Sequence, residues 1–261
     1  MTLLALAQLG RGVVPPGEPV LRADDEGVLR GRAVFETLRV YGGRPFELDA
    51  HLDRLKASAA RLRLPEPPPA ALQALAHGAL AAAGAPDCVL RLLWTPGTGL
   101  ALVSALPDDL EELRVRGLRL HVCEWATGAL AGAKSVSYAE NMAAQAAAEE
   151  HGFDDALLVA TDGIVLEAPT ANVWFREGDV LHTPSLELPI LAGVTRAVLS
   201  RGRDVEEGRY PLERLLAADE VFLTSSVREV MPVVRVGGRE LERGPAAAEL
   251  QQSLRRYAGA G

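Results

Sequence analysis

The sequence predicts an α+β fold in two domains, and three observations carry that reading. Strand-like and helix-like segments are interleaved without a strict βαβ rhythm. At roughly 150 residues per domain, 261 residues allow one large domain or two modest ones. Residues 106–116 are polar and strongly charged, which marks a boundary. The expected layout is a smaller N-terminal domain over 1–108, a linker over 109–117 and a larger C-terminal domain over 118–261.

The elements follow in order. Residues 24–31 form a glycine-bearing loop leading into an alternating strand at 33–41, which Gly42-Gly43 turns. Asp49 is the N-cap candidate for a helix whose Leu52, Leu55, Ala59 and Leu62 share one face. The proline-rich run 65–69 ends that helix. An alanine-rich helix then spans about 70–83, closed by Gly84. Residues 89–94 and 100–105 read as strands around a Pro96-Gly97 turn. Beyond the charged boundary, 118–124 reads as a strand and 138–150 as a helix ending at His151-Gly152. Two hairpins are expected: 156–160 with 164–167 across Asp162-Gly163, and 173–175 with 180–182 across Gly178-Asp179. Gly193 opens a helix to about 199. Strands at 220–224 and 232–236 and a closing helix at 246–257 complete the chain.

Composition narrows the function. With 48% hydrophobic residues and 25 glycines, the chain reads as an ordinary globular protein with a sizeable core, and not as a disordered or fibrous one. A net charge of −8 argues against a general nucleic-acid or anionic-membrane surface, while leaving room for a local arginine-built anion site. Cys88 and Cys123 make no disulfide framework and lack metal spacing. The five histidines are scattered, with no HExxH, so a zinc hydrolase is not expected. Residues 1–9 are apolar but lack a basic start, and no stretch reaches the length of a membrane helix. The expected location is the cytoplasm. Among 27 basic residues only Lys56 and Lys134 are lysines, so any chemistry that needs an amine has two candidates.

Lys134 sits among small and apolar neighbours in Gly132-Ala133-Lys134-Ser135-Val136, just ahead of a helix. It reads either as a solvated loop lysine or as a partly desolvated Schiff-base amine, whose pKa such surroundings lower. Lys56, among Asp53, Arg54 and Arg61, reads as a surface lysine. Glu167 ends an apolar strand five residues before Asn172. It is either a strand-edge carboxylate or one that keeps a ring nitrogen protonated. Gly193-Val194-Thr195 presents backbone N–H groups and a hydroxyl at a helix start, a weak phosphate signal alone. The loop Thr224-Ser225-Ser226 is a second weak one. Together an amine, a carboxylate and a phosphate cup describe pyridoxal phosphate.

The chain resembles the class IV pyridoxal-phosphate enzymes, the D-amino acid aminotransferase-like group of fold type IV, over nearly its whole length. The resemblance rests on Gly31-Arg32-Ala33-Val34-Phe35-Glu36-Thr37-Leu38-Arg39, His51-Leu52-Asp53-Arg54-Leu55, Lys134 with Tyr138, and Glu167 with Asn172. It continues through Thr183-Pro184, Gly193-Val194-Thr195-Arg196, and Ser225-Ser226 with Glu229-Val230-Met231-Pro232-Val233. It implies a two-domain α+β architecture with the cofactor in the cleft between domains, a small-molecule substrate and a homodimer.

By the same resemblance, Lys134 is the Schiff-base lysine and then shuttles protons. Arg54 binds the phosphate, as do Val194, Thr195 and the Ser225-Ser226 loop. Glu167 pairs with the pyridine nitrogen, and Tyr138 hydrogen-bonds the phenolic oxygen. Pro169 and Trp174 depart from the family's usual residues near the expected pocket wall and bear on substrate choice. Within the family, residues 135–141 and 222–232 look most like the aminodeoxychorismate lyases. The alternative is an aminotransferase for D- or branched-chain amino acids. For a lyase, Thr37 is either a buried strand threonine or the proton donor to the leaving group. Arg32 and Arg91 are the candidate substrate arginines, with Arg228 a weaker one.

Overall fold

A computed structural model describes residues 2–259. The chain divides into two compact units. The first is built from the chain up to Pro107 together with the short segment Ala133–Ser137; the second from Asp108–Gly132 and Tyr138–Tyr257. Among the described residues no helix is long and apolar enough to cross a membrane.

The first unit contains β1 (Leu3–Gln8), β2 (Gly12–Val14), α1 (Glu26–Arg30), β3 (Val34–Tyr41) and β4 (Arg44–Pro45). It continues with α2 (Leu48–Arg61), α3 (Pro69–Ala83), β5 (Cys88–Trp94) and β6 (Gly99–Ser104). The strands form one antiparallel sheet in the order β2-β1-β6-β5-β3-β4. Strand period decides which side chains meet the helices. In β3, Val34, Glu36, Leu38 and Val40 are buried, and three of the four are apolar. The apolar three join Leu52, Leu55 and Ala59 of α2 and Leu72, Ala76 and Ala79 of α3 in one core. Phe35, Thr37 and Arg39 take the other face.

Helix α2 starts one residue before the expected cap. Glu47, at φ 51°, precedes it without a side-chain cap, and Asp49 falls inside the first turn, where a negative charge meets the helix dipole. Gly84 closes α3 at φ 61°, the left-handed conformation that favours glycine.

The second unit holds α4 (Leu110–Arg116), β7 (Leu118–Trp125), α5 (Ala139–Glu150), β8 (Asp155–Ala160), β9 (Asn172–Glu177) and β10 (Val180–Pro184). Then come α6 (Val194–Ser200), β11 (Val205–Gly208), α7 (Leu212–Leu216), β12 (Glu220–Ser225), β13 (Glu229–Val236), β14 (Arg239–Glu240) and α8 (Ala246–Ala258). Its sheet runs β11-β10-β9-β12-β13-β7-β8, with β14 on β13. The β7–β8, β7–β13 and β10–β11 pairs are parallel, and the rest are antiparallel.

Residues 109–117, read from sequence as a linker, hold α4. Its charges pair along the helix, with Arg114 Nη1 2.7 Å from Glu111, and Leu110 is buried beneath them. Residues 164–167 turn back on 158–160 as the first expected hairpin, though irregularly: Ala160 N donates to Ile164 O at 2.8 Å, Leu158 N to Glu167 O at 2.8 Å and Leu166 N to Leu158 O at 3.0 Å, with a single bridge at Val159–Val165 in place of a continuous ladder. Trp174 is fully buried, stacks on Phe222 at 6.0 Å and donates through Nε1 to Thr224 Oγ1 at 2.9 Å, next to the Ser225-Ser226 loop.

The β12–β13 turn is fixed from below. Glu229 is wholly buried at φ 59°, a left-handed conformation that costs a non-glycine residue about 1 kcal/mol. Its carboxylate accepts from Gln251 Nε2 at 2.7 Å, Arg255 Nη2 at 3.0 Å and Arg114 Nη2 at 3.1 Å. Removing one partner of such a buried set costs far more than the local strain, so the network holds the turn carrying Ser225 and Ser226.

Candidate active site

Lys134 lies in the segment Ala133–Ser137, which runs beside the start of β3. Phe35 N donates to Lys134 O at 3.0 Å, Val136 N to Ala33 O at 3.0 Å, and Val34 bridges Ser135. Lys134 N donates to the buried Ser58 Oγ of α2 at 3.1 Å. Backbone bonds on two sides therefore fix the half-buried lysine, and its Nζ lies 4.6 Å from the centroid of the Phe35 ring. Gly31 shapes the neighbouring chain. It sits at φ 64°, and a Cβ there would come within 2.3 Å of Ser137 Oγ.

On the same face of β3, Thr37 pairs with Arg91 of β5 across the sheet. The guanidinium of Arg91 lies 5.5 Å from the Phe35 ring centroid. Thr37 Oγ1 is buried and has no hydrogen-bond partner among the described residues. An amine and an exposed cation thus lie against one phenyl ring, and the Thr37 hydroxyl belongs to the same face of the strand. Arg32 is exposed as well, with Nη1 3.1 Å from Glu26. Lys56 is exposed and bound to Glu66 at 2.6 Å.

Arg54, on the inner side of α2, meets Glu36, a residue of the 31–39 motif to which the resemblance assigns no role. Glu36 is wholly buried, and it accepts from Arg54 Nε at 2.8 Å, from Arg54 Nη2 at 2.6 Å and from His51 Nδ1 at 2.7 Å. Burial pushes the Glu36 carboxyl up, but the Arg54 guanidinium and His51 outweigh it and hold the group down at about 2. Burial drives the His51 imidazole the other way, below its ordinary value, and the charges of Arg54 and Lys134 add to that. A signal was available in the sequence: Glu36 alternates with Val34, Leu38 and Val40 on an apolar face, where an unpaired carboxylate is not tolerated.

In the second unit Glu167 is half-buried and oriented. Its carboxylate accepts from Leu191 N at 3.1 Å and Asn172 Nδ2 at 3.1 Å, and Asn172 Nδ2 also donates to Leu191 O at 2.8 Å. A Cβ on Gly193 would lie 1.9 Å from Asn172 Oδ1, so only glycine fits ahead of Val194 and Thr195, both buried at the start of α6. Ser225 and Ser226 are half-buried, and Ser225 Oγ accepts from Arg228 N at 3.4 Å. Tyr138 Oη donates to Pro169 O at 2.6 Å, so its single proton is committed to the loop after Glu167. Arg228 is committed too, to Asp155 and Thr170, both at 2.7 Å.

Groups of the kind pyridoxal phosphate requires are present in each unit. In the second, Glu167 is a fixed, half-buried carboxylate, and Gly193 precedes the buried Val194 and Thr195 with Asn172 packed where a Cβ would stand. Thr37 Oγ1 and His51 Nε2 are buried polar atoms without partners among the described residues.

Comparison with known proteins agrees. The chain belongs to the class IV aminotransferase family, whose model matches residues 33–236. It is 34% identical over 266 residues to a bifunctional aminodeoxychorismate lyase / D-amino acid transaminase of Mycobacterium tuberculosis, covering 90% of this chain and 92% of that one. An aminodeoxychorismate lyase of Bacillus subtilis is 30% identical, with 91% and 88% covered. Among solved structures, a pyridoxal-phosphate-bound aminotransferase from M. tuberculosis superposes with a TM-score of 0.89 at 32% identity, covering 95% of this chain and 97% of that one. The architecture is the α+β fold of the fold type IV transaminases. The chain is a pyridoxal-phosphate enzyme of this family.

Proposed function

We propose that the chain is a 4-amino-4-deoxychorismate lyase, which yields 4-aminobenzoate and pyruvate on the route to folate. One observation carries the reading: Lys134 and Arg91 lie against the Phe35 ring, and Thr37, two residues on along the same face of β3 and paired with Arg91, has its Oγ1 buried and unpartnered among the described residues. Elimination asks the protein for a base at the amine-bearing carbon, an acid for the departing oxygen and a cation for a substrate carboxylate. Lys134, Thr37 and Arg91 match those tasks in that order, with Arg32 a second candidate for the carboxylate. The lyase names of the two relatives support the same reading.

When bound, pyridoxal phosphate supplies an aldehyde for the substrate's amine and a ring that takes up the electron pair left by deprotonation. Arg54, the Val194 N–H, the Thr195 hydroxyl and the Ser225-Ser226 loop would hold its phosphate. Glu167, held by Asn172 and Leu191 N, would keep its pyridine nitrogen protonated. Tyr138 would serve the phenolic oxygen once its O–H turns from Pro169. Lys134 would hold the aldehyde and take the proton from the amine-bearing carbon, and Thr37 would protonate the leaving oxygen.

A second reading, an aminotransferase for D- or branched-chain amino acids, is favoured by the double activity in the M. tuberculosis relative's name. Both reactions use Lys134 as base. The test incubates the protein with aminodeoxychorismate alone, and separately with D-alanine and 2-oxoglutarate. The expected result is pyruvate and 4-aminobenzoate without added oxo acid. Glutamate in the second tube with nothing in the first would overturn the lyase.

The working form is proposed to be a cytoplasmic homodimer. Helix α1 supports pairing, because none of its residues is buried and it exposes Val28 and Leu29 side by side. Sedimentation equilibrium is expected to give twice the chain mass of 27.7 kDa, and a single-chain mass at micromolar concentration would count against pairing.

A further inference from the structure

Arginine on a helix face has long reach and many rotamers, so binding a phosphate with it costs conformational entropy unless something holds the side chain beforehand. Here something does. The Arg54 guanidinium meets Glu36 through both Nε and Nη2, a two-point fork that fixes the plane of the group as well as its position. Glu36 itself cannot move away. It is wholly buried on the helix-facing side of β3, and its Oε2 is shared between Arg54 Nη2 and His51 Nδ1. His51 lies one turn before Arg54 on α2, and it is also wholly buried.

The protonation state of the set follows from its geometry. The carboxylate is ionised at neutral pH, so the His51 proton sits on Nδ1 and points at Glu36. That leaves Nε2 as a buried acceptor. A charge-neutral pair of carboxylate and guanidinium, buttressed by a neutral imidazole, keeps one face of the arginine occupied.

We propose that Glu36 and His51 are positioning residues that set the guanidinium of Arg54 for the cofactor's phosphate. Neither residue touches the reacting atoms; both act through Arg54. The inference rests on the reading of Arg54 as a phosphate partner, and the test separates the two.

The experiment compares binding of pyridoxal 5′-phosphate with binding of pyridoxal, which keeps the aldehyde and ring but lacks the phosphate. Full-length protein freed of cofactor is titrated with each, and the ratio of the two affinities is the readout. In Glu36→Gln the fork loses its charge. The ratio is expected to fall about tenfold to a hundredfold, the range that buried partners of ligating side chains command, while pyridoxal affinity stays near the wild-type value. Glu36→Asp keeps the buried charge, so that variant stays folded, but is one methylene short. It is expected to retain part of the ratio.

A merely structural role would weaken both ligands alike and leave the ratio unchanged. A wild-type ratio in the folded Gln variant, or in the Asp variant if the Gln variant does not fold, overturns the positioning role. If the wild-type chain itself binds the two ligands equally, the phosphate reading of Arg54 fails, and the positioning role with it.

Discussion

Substitution of Lys134 by Ala is expected to lower turnover by roughly ten-thousandfold, the upper range for a positioned acid–base group. It should also abolish covalent retention of the cofactor. Borohydride treatment of the wild-type holoenzyme is expected to fix one pyridoxyl group, and peptide mapping should place it on Lys134. The chain makes this test unusually clean, because Lys56 is the only other lysine. That residue is exposed and paired with Glu66 at 2.6 Å, so Lys56→Ala should leave both turnover and labelling intact. The physical argument is one of placement. Lys134 is held by its backbone at Ser58 and Phe35, and its amine rests against the Phe35 ring. Label on Lys56 or the N-terminal amine, or undiminished turnover in Lys134→Ala, would sink the assignment.

The lysine was legible in the sequence because its scarcity left two choices and only one lay off a charged helix face. The first sheet was legible in part. The strand alternation of 33–41 and the Pro96-Gly97 turn point directly to β3, β5 and β6. β1 carries no such signal: Leu3–Gln8 is apolar on both faces, with Ala5, Leu6 and Ala7 all buried between β2 and β6, so period-2 alternation is absent. Short elements are silent for a different reason. α1, α7 and β11 each have only four or five residues, too few for a period to show. α4 was hidden by its charges, which read as solvated linker until Leu110 and the Glu111–Arg114 pair give it one buried and one paired face.

Site residues divide along a similar line. Glu167 and Gly193 were visible by type and spacing, but what fixes them was not. Asn172 Nδ2 reaching both Glu167 and Leu191 O is a contact across nineteen residues that no local pattern contains. Trp174 is legible by type, while its partners are not: register pairs it with Phe222, and its Nε1 reaches Thr224 Oγ1 fifty residues on. Tyr138 was named for its hydroxyl, and only the fold reveals Pro169 O as the acceptor.

Stability of the cofactor-free protein is expected to fall as pH drops from neutrality, in two stages set by the buried set around Arg54. His51 acts first. Burial, opposed by Glu36 and aided by Arg54 and Lys134, places its folded-state pKa below the ordinary 6.5, so below that pH the unfolded chain takes up the proton before the folded one does. Glu36 acts next. Its folded value of about 2 lies below the ordinary 4.5, so its contribution is complete above 4.5 and is lost as pH falls towards 2. The difference amounts to about 3 kcal/mol. Asp154, also held at about 2 by Arg116 and Arg119 against the effect of burial, titrates in the same window. Comparison with Glu36→Gln separates them, because Asp154 is unchanged in the variant. Urea midpoints measured from pH 7 to pH 2 are expected to differ most at neutral pH, where the variant leaves Arg54 facing an uncharged amide. The two curves should converge as Glu36 is protonated. Parallel curves down to pH 2 would show that the buried carboxylate is not the group whose protonation weakens this sheet.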